Sequence, residues 1–360
     1  MTVHDFIGDT PDLTRRGFLI GSAAALAAGG LVATTGSLGS RAGASPDDGC
    51  EDQPVLTLGG VASIDGAYVA MAPAGETFGL HRLRVDGSGR VALDGQIEVD
   101  VPEDLLWGQV GVVGGRLVLV GGRPFVWEEY EADYEQSAHV RASMETMPEW
   151  VPTTGKHPVT VWGVEPAAYA LRPPRSEAIE LPDRRRGLLG FAAAVTETPD
   201  RGMAVLVLHA EGRSEGLYAS GVEVWESVRG RWAAAHVAGD LGETDEPYSL
   251  VTDGSARTVA VNDGSGRASV HARRDRWESV PSPEAGSVSA VVVDHNDTMV
   301  MYASTPGRPL RRWSLSDGGD WADEGEVSLR HEPALAAVPV QGARAETVLI
   351  GPRHAWLVSE

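Results

Sequence analysis

The stretch "VGVVGGRLVLV", residues 110–120, decides how the rest of the chain is interpreted. Two runs of valine and leucine flank the pair Gly114 and Gly115. Glycine adopts the positive φ angles that a two-residue turn needs, and β-branched residues are enriched in strands. The stretch therefore predicts a β-hairpin.

The same pattern of apolar run, turn-forming cluster and apolar run recurs along the chain. The centres of these predicted hairpins are Asp65, Gly114, Gly155, Pro199, Gly254, His295 and Gly342. Their mean spacing is about 46 residues, a period typical of repeat architectures rather than of an irregular β-fold. Amphipathic helix patterns are almost absent from the same region, so the pattern predicts an all-β protein.

A tryptophan repeat falls half a period away from the predicted hairpins. Trp232, Trp277 and Trp321 each end a second turn-containing stretch, and they lie about 45 residues apart. Two hairpins per period correspond to four strands, which is the unit of a propeller blade. We therefore predict a seven-bladed β-propeller of four-stranded blades. A pair of β-sandwiches is the alternative, but sandwiches do not repeat their turn chemistry at a fixed period.

Two apolar segments near the ends of this region lack a partner in the predicted strand pattern. Residues 54–60 precede the first predicted hairpin, and residues 355–359 follow the last one. Placing them in one blade would remove two exposed sheet edges. We therefore predict that these N- and C-terminal strands pair and close the propeller.

One turn resembles a motif of a known family of propellers. The segment "SLSDGGDW", residues 314–321, resembles the Asp-box of sialidase-like propellers, with Asp317, Gly319 and Trp321 in place of its Asp, Gly and Trp. The segment is one residue shorter than that motif between Gly and Trp. The resemblance implies a structural turn between the two outer strands of a blade and carries no catalytic role.

The chain begins with the parts of an export signal. Arg15 and Arg16 precede an Ala-, Gly- and Leu-rich run over residues 17–33, and "AGA" at residues 42–44 suits a signal peptidase. The paired arginines make this segment resemble a twin-arginine (Tat) signal peptide. We predict a signal over 1–44, a flexible lead-in over 45–53 and the propeller domain over 54–360. An uncleaved membrane anchor is the alternative, although the apolar run is short for a bilayer span.

The resemblance to a Tat signal implies export of the folded protein, to the cell envelope or outside the cell. Cys50 is the only cysteine, so the fold cannot depend on a disulfide within the chain. The formal net charge of −21 disfavours nucleic acid and anionic lipid surfaces as partners. We expect a monomer that has no membrane association once the signal is removed.

Motifs for catalysis, cofactors and metals are not found in the sequence. There is no G-x-S-x-G elbow, no H-E-x-x-H and no P-loop, so we predict no cofactor and no metal site. The most acidic stretch, residues 127–136, contains Glu128, Glu129 and Asp133. Paired carboxylates there could make the protein a glycoside hydrolase or lyase. A solvated loop with a run of charges would have the same sequence, and we favour that interpretation.

A repeated Gly-Arg turn gives the candidate ligand-binding residues. It follows the second predicted strand of several blades, at Arg123, Arg213, Arg267, Arg308 and Arg353. These connections all emerge on one face of a propeller, so the arginines would form a partial ring. The guanidinium fork suits carboxylate, sulfate or phosphate. We therefore predict a binding module rather than an enzyme, with an anionic polysaccharide or an acidic protein surface as its ligand.

Overall fold

The computed structural model describes residues 55–360 with short gaps. The gaps are 75–76, 101–104, 106–107, 134–155, 183–188, 199–201, 214–215, 229, 245–248, 254–256, 263–266, 274–275, 284–285, 306–307, 316–318 and 344. Along parts of several strands the backbone alone is described. The predicted signal and the predicted lead-in lie outside the described residues.

Every regular element that the structure describes is a β-strand, which confirms the all-β prediction. The strands form four separate antiparallel sheets of four strands, one closed sheet of seven strands and a two-stranded ribbon. The first four and the last three strands of the chain make up the closed sheet and are called blades 1 and 6 here, and the four separate sheets are called blades 2 to 5 in chain order. Blade 1 contains β1 (Gly60–Ile64), β2 (Ala67–Ala74), β3 (Thr77–Val85) and β4 (Arg90–Ile97). Blade 2 contains β5 (Gly108–Val113), β6 (Arg116–Asp133), β7 (Lys156–Arg172) and β8 (Arg175–Ile179). Blade 3 contains β9 (Leu189–Glu197), β10 (Met203–Arg213), β11 (Gly216–Val228) and β12 (Arg231–Thr244).

The second half of the chain continues the same order and adds one small ribbon. Blade 4 contains β13 (Ser249–Thr252), β14 (Thr258–Asn262), β15 (Ala268–Arg273) and β16 (Trp277–Val280). Blade 5 contains β17 (Ser287–Val293), β18 (Met299–Ser304), β19 (Arg311–Leu315) and β20 (Trp321–Glu326). A two-stranded ribbon, β21 (Ser328–Leu329) with β22 (Glu332–Pro333), precedes blade 6. Blade 6 contains β23 (Ala336–Gln341), β24 (Glu346–Ile350) and β25 (Ala355–Ser359).

The hairpin predicted over residues 110–120 is present in the structure. Gly114 and Gly115 join β5 to β6 with φ angles of 57° and 66°. Both angles lie in the left-handed region that a two-residue hairpin turn requires. Val113 pairs directly with Arg116 across the turn. The glycine pair therefore fixes the register of the first two strands of blade 2.

The first strands of the six blades surround a common centre. Each of β1, β5, β9, β13, β17 and β23 contacts the first strand of the next blade, and β23 contacts β1. The inner strands β13 and β23 are buried throughout, whereas the outer strand β20 is largely exposed. Each of the six pairs of neighbouring blades encloses its own cluster of buried apolar side chains. The fold is therefore propeller-like, with its core divided among the blade interfaces.

The described part of the chain forms six blades, whereas the spacing of turns predicted seven. The difference arises at Gly155, which was taken as the first hairpin of a separate blade. Gly155 itself lies outside the described residues, between β6 and β7 of blade 2. These two strands are 18 and 17 residues long. Their extra length adds about one period of chain to a single blade, so a seventh blade is not confirmed by the described residues.

Blades 1 and 6 are joined by hydrogen bonds at two places. The inner strands β1 and β23 pair in parallel, and the outer strands β4 and β25 pair antiparallel. The prediction that residues 54–60 form the partner of β25 is wrong, because β4 occupies part of that edge and residues 55–59 are not a strand. The N–H of Val55 donates to the Gly351 carbonyl over 3.0 Å, so the segment still contacts blade 6. Leu58 is fully buried in the cluster between the two blades.

The tryptophan repeat has a structural cause. Trp232 and Trp321 each stand at the start of the fourth strand of a blade. Trp232 Nε1 donates to the Glu180 carbonyl over 3.2 Å, and Trp321 Nε1 donates to the Pro281 carbonyl. Both carbonyls follow the fourth strand of the preceding blade. The repeated ring therefore links the outer edges of successive blades.

Trp321 also ends the Asp-box-like segment, which lies between the outer strands β19 and β20 as the resemblance implies.

Candidate functional site

A cleft of about 520 Å³ opens where blade 1 meets blade 6. It is called the seam cleft here. Its walls come from β3 and β4, from the turn between β24 and β25, and from the segment before β1. The lining residues are Val55, Leu56, Arg84, Asp86, Arg90, Val91, Ala92, Leu93, Arg353, His354 and Ala355.

The cleft exists because β4 and β25 pair over a short length. Arg90 pairs with Trp356 and Val91 pairs with Ala355, and one further hydrogen bond runs from Leu357 N–H to the Gly89 carbonyl over 2.8 Å. Beyond Val91, β4 continues to Ile97 with β3 as its only strand partner among the described residues. The two outer strands therefore separate and leave a space between them.

Two arginines give the cleft its positive charge. Arg84 lies on β3 and Arg90 begins β4, and both side chains are exposed. Neither side chain forms an ion pair within the part of the chain that the structure describes. On a protein with a net charge of −21, two adjacent cations of this kind are a local exception. They leave the cleft suited to a negatively charged group.

The carboxylate of the nearby Asp86 forms hydrogen bonds within the turn between β3 and β4. Its Oδ1 accepts hydrogen bonds from the Ser88 hydroxyl at 2.6 Å, the Ser88 N–H at 2.8 Å and the Arg90 N–H at 3.1 Å. The bond from the Ser88 hydroxyl is the largest cause that holds the pKa of Asp86 below its usual range. Asp86 therefore remains ionised at neutral pH and shapes the turn that carries Arg90.

Glu332, on the ribbon, fixes the opposite wall of the cleft. It is buried, and its Oε1 lies 2.7 Å from His354 Nδ1 and 3.2 Å from Arg353 Nε. Its Oε2 accepts a hydrogen bond from the Arg353 N–H at 3.3 Å. Burial alone would raise the pKa of Glu332, but His354 and Arg353 outweigh it and hold the pKa below the usual range. This ionised carboxylate offsets Arg353, and the ionised Asp86 offsets part of the charge of Arg84 and Arg90. The three arginines still outnumber these two carboxylates in the cleft, so its net charge is positive.

The tip of the ribbon reaches the same region. Arg330 and His331 both have positive φ angles, 48° and 79°, which are uncommon for residues other than glycine. The Arg330 guanidinium lies 4.3 Å from the centre of the Trp356 ring, and Arg330 Nη2 lies 3.5 Å from the Ser88 carbonyl. The ribbon therefore bridges blades 6 and 1 beside the seam cleft.

The structure places the five predicted arginines in different surroundings. Arg123 lies within β6 and pairs with Glu165 of β7, with 3.0 Å between Arg123 Nε and Glu165 Oε1. Arg213 ends β10, and its side chain lies outside the described part. Arg267 and Arg308 are exposed beside the second-to-third-strand connections of blades 4 and 5. Only Arg353 lines the seam cleft. That the five act together as a ring stays a prediction.

The acidic stretch of the alternative enzyme interpretation belongs largely to a strand. Glu128, Glu129 and Asp133 all lie in β6, where their backbones pair with Val161, Thr160 and Lys156 of β7. The prediction of a loop from residue 127 onward is therefore wrong as far as Asp133. Instead, β6 and β7 continue to pair as one extended hairpin as far as Asp133 and Lys156. The side chains of these three residues lie outside the described part, so the enzyme interpretation stays a prediction.

Arg84 and Arg90 were not among the predicted binding residues. Arg90 does end a Gly-Arg turn, "GSGR" at residues 87–90, which matches "GSGR" at residues 264–267. It was missed because this turn joins the third and fourth strands of blade 1, whereas the prediction considered second-to-third-strand turns. Arg84 carries no local signal, since only the pairing of β3 with β4 brings it beside Arg90.

Two further findings bear on the kind of site. Among the described residues, no group of three or more His, Cys, Asp or Glu side chains is arranged to hold a metal ion. The described part also contains no helix with the length and hydropathy needed to cross a membrane.

The sequence matches no protein-family model and no curated protein. Several solved structures are similar to this chain at low identity. A Trypanosoma rangeli sialidase bound to 2,3-difluorosialic acid is 12% identical with a TM-score of 0.46, and the match covers 84% of this chain and 52% of that one. This chain thus spans about half the length of that sialidase. A Dyadobacter fermentans protein of unknown function is 10% identical with a TM-score of 0.46, covering 84% and 94% of the chains. The calcium-binding protein regucalcin from Agrobacterium tumefaciens is 11% identical with a TM-score of 0.42, covering 83% of each chain. Likeness at this level says nothing about ligand or activity.

Proposed function

We propose that this protein is a binding module whose ligand is anionic and occupies the seam cleft. One observation carries the proposal. Arg84 and Arg90 line a cleft of about 520 Å³ and form no ion pair within the described residues. An exposed guanidinium offers several N–H donors in a planar fork, which matches a carboxylate, sulfate or phosphate group.

The wall opposite these arginines supports a binding role. Glu332 holds His354 and Arg353 in place through hydrogen bonds to both a side chain and the backbone. A binding site gains affinity when its groups are already ordered before the ligand arrives. The buried carboxylate therefore keeps one side of the cleft rigid, while Arg84 and Arg90 face the ligand from the other.

The proposal includes export through the Tat route, with the module acting at the cell envelope or outside the cell. The paired Arg15 and Arg16 and the apolar run behind them support this location. A propeller-like scaffold suits such a role, because rigid blades hold binding residues in fixed positions. We also propose that the protein is a monomer.

The test measures binding of the full chain to two anionic polymers, poly-L-glutamate and polygalacturonate, with neutral dextran as the reference. We expect binding to at least one anionic polymer that weakens as salt rises. The double variant Arg84→Ala/Arg90→Ala should lower affinity by tenfold or more, on the order of 1.4 kcal/mol.

The matched control is Arg276→Ala. Arg276 is an exposed arginine just before the fourth strand of blade 4, the position that corresponds to Arg90 in blade 1. Its removal changes the net charge by one without touching the cleft, so binding should hardly change. A second variant, Arg267→Ala/Arg308→Ala, tests the ring. If only that variant weakens binding, the ligand lies at the ring and the cleft proposal is wrong.

A further inference from the structure

We infer that the ligand of the seam cleft is an acidic peptide that adds as a short β-strand to the edge of β4. The inference rests on the proposed function and specifies its ligand. Strand addition uses the main chain for affinity and side-chain pockets for specificity. The structure offers both elements at this edge.

The main-chain element is the part of β4 that β25 leaves uncovered. After the pair Val91 and Ala355, the far side of β4 has no further strand partner among the described residues. Unpaired N–H and C=O groups along such an edge are a template for another extended chain. The cleft lies directly against this edge, since Ala92 and Leu93 line it.

A bulge in β4 limits the length of the added strand. The pairing of β3 with β4 shifts register between His81 and Leu83, so that Asp94 and Gly95 stand opposite a single residue. Gly95 has a φ of 109°, far from the extended conformation. A bulge of this kind ends regular pairing along an edge. The regular edge open to a peptide therefore runs from Ala92 to Asp94. The Arg90 carbonyl accepts from Asp86 on the β3 side and the Gly89 carbonyl accepts from Leu357 of β25, so alternation along the strand leaves Leu93 as the residue whose N–H and C=O face the open edge. This edge fits a strand of about three residues.

The apolar lining favours a peptide over a polysaccharide. Val55 and Leu93 are 49% and 38% exposed, and they are the exposed large hydrophobic side chains of the described part. Both line the seam cleft, together with Leu56, Val91 and Ala355. All of these side chains are aliphatic or alanine. The imidazole of His354 is the one aromatic ring among the described lining residues, and Glu332 holds it at the opposite wall. Burying an aliphatic side chain of the ligand against them would be favourable.

The arginines beside this edge favour a peptide that contains acidic residues. Arg84 and Arg90 stand at the end of the edge where β4 leaves β25, and Asp94 stands at the bulge. Acidic side chains of the peptide would contact the arginines, and its apolar side chain would contact Leu93 and Val55. This combination of charge and aliphatic surface is what an acidic peptide containing valine or leucine presents.

The experiment uses the full chain and fluorescence anisotropy of a capped, labelled hexapeptide that alternates glutamate with valine. Three comparison probes are used. One peptide replaces glutamate with lysine, one carries N-methyl groups on alternate amides, and one probe is an oligomer of galacturonate. We expect the glutamate–valine peptide to bind, and the lysine and N-methylated peptides to bind at least tenfold more weakly.

Two variants and one backbone measurement localise the effect. Arg84→Ala/Arg90→Ala and Leu93→Ser should each weaken peptide binding, whereas Arg276→Ala should not. Hydrogen exchange at the Leu93 amide should slow when the peptide binds, because this N–H faces the open edge and would bond to the added strand. Equal binding of the N-methylated peptide, or no protection at the Leu93 amide, would overturn strand addition.

The outcomes separate this inference from the function on which it rests. Binding of the galacturonate oligomer at the arginines without binding of the peptide would retain an anionic ligand and reject the peptide. Failure of all the anionic probes to bind would reject the proposed function itself.

Discussion

Glu332 is the residue on which one wall of the seam cleft depends. It is a buried carboxylate whose neighbours His354 and Arg353 hold its pKa below the usual range. A carboxyl group with a lowered folded-state pKa stabilises the protein at pH values above its unfolded pKa. That contribution is lost as the pH falls through the folded pKa. The stability of the cleft wall should therefore depend on pH in the acidic range.

We predict that Glu332→Gln lowers the Tm at pH 7, because the amide cannot provide the negative charge that faces Arg353 and His354. The difference in Tm between the parent and the variant should shrink as the pH falls below the unfolded-state pKa of about 4.3 and through the lower folded-state pKa, where the parent carboxylate becomes protonated. Calorimetric melting between pH 7 and pH 3 measures this. Glu177→Gln, at an exposed position of β8, should leave the Tm unchanged. A difference that stays constant over this range would show that the carboxylate charge is not the cause.

Among the elements, the segment before β1 shows where the sequence misled and where it did not. The apolar residues over 54–60 predicted a strand, because a short apolar run bounded by turn residues is consistent with one. Such a run cannot reveal whether the expected neighbour is already paired, and here β4 takes that position beside β25. The segment nevertheless contacts both blades, because Val55 bonds to Gly351 and Leu58 lies in the shared cluster.

At the scale of this element, Leu58→Ala should be strongly destabilising. Leu58 is fully buried between blades 1 and 6, so its truncation leaves a cavity that costs about 2–5 kcal/mol. Val55→Ala, three residues earlier, removes a side chain that is 49% exposed and should change stability by about 0.5 kcal/mol or less. Denaturant titration gives both values. Equal effects of the two substitutions would show that the segment does not pack as a part of the interface.

The outer edges of the blades were the most predictable elements. The spacing of Trp232, Trp277 and Trp321 predicted two hairpins per unit, and all three lie at the first or second residue of the fourth strand of their blade. The repeat is visible in the sequence because the outer edges of successive blades are joined at the same position of each blade. Trp277 Nε1 has no hydrogen-bond partner within the described part. The residue that corresponds to Glu180 and Pro281 for this ring is Asp245, which lies outside that part.

For the whole molecule, the sequence predicted the class of fold better than its details. Turn chemistry and periodicity are local, so the propeller-like arrangement could be inferred from them. The number of blades could not, because a hairpin of unusual length and a separate blade have the same local pattern. The seam cleft could not be predicted for a different reason. The cleft brings together Arg84 and Arg353, which are far apart in the sequence. No local sequence pattern relates two such positions.

The proposed export of the whole molecule rests on the first residues of the chain, which resemble a Tat signal. We predict that replacing both Arg15 and Arg16 with lysine keeps the protein inside the cell, since the resemblance to a Tat signal rests on this pair. Fractionation of cells that produce the parent and the variant measures the effect. A matched control replaces Arg41 with lysine and should leave export intact. Undiminished export of the double variant would show that another secretory route is sufficient.

The contacts between blades 1 and 6 also set an order of events. Val61 pairs with Val340 and Arg90 pairs with Trp356, so these bonds join residues that are synthesised far apart in time. Contacts of such high sequence separation form late, because closing a long loop is slow. The seam cleft is therefore assembled only after nearly all of the chain has been made and folded. A chain that is truncated before Arg353 lacks one wall of the cleft, so we expect that it would not bind the proposed ligand.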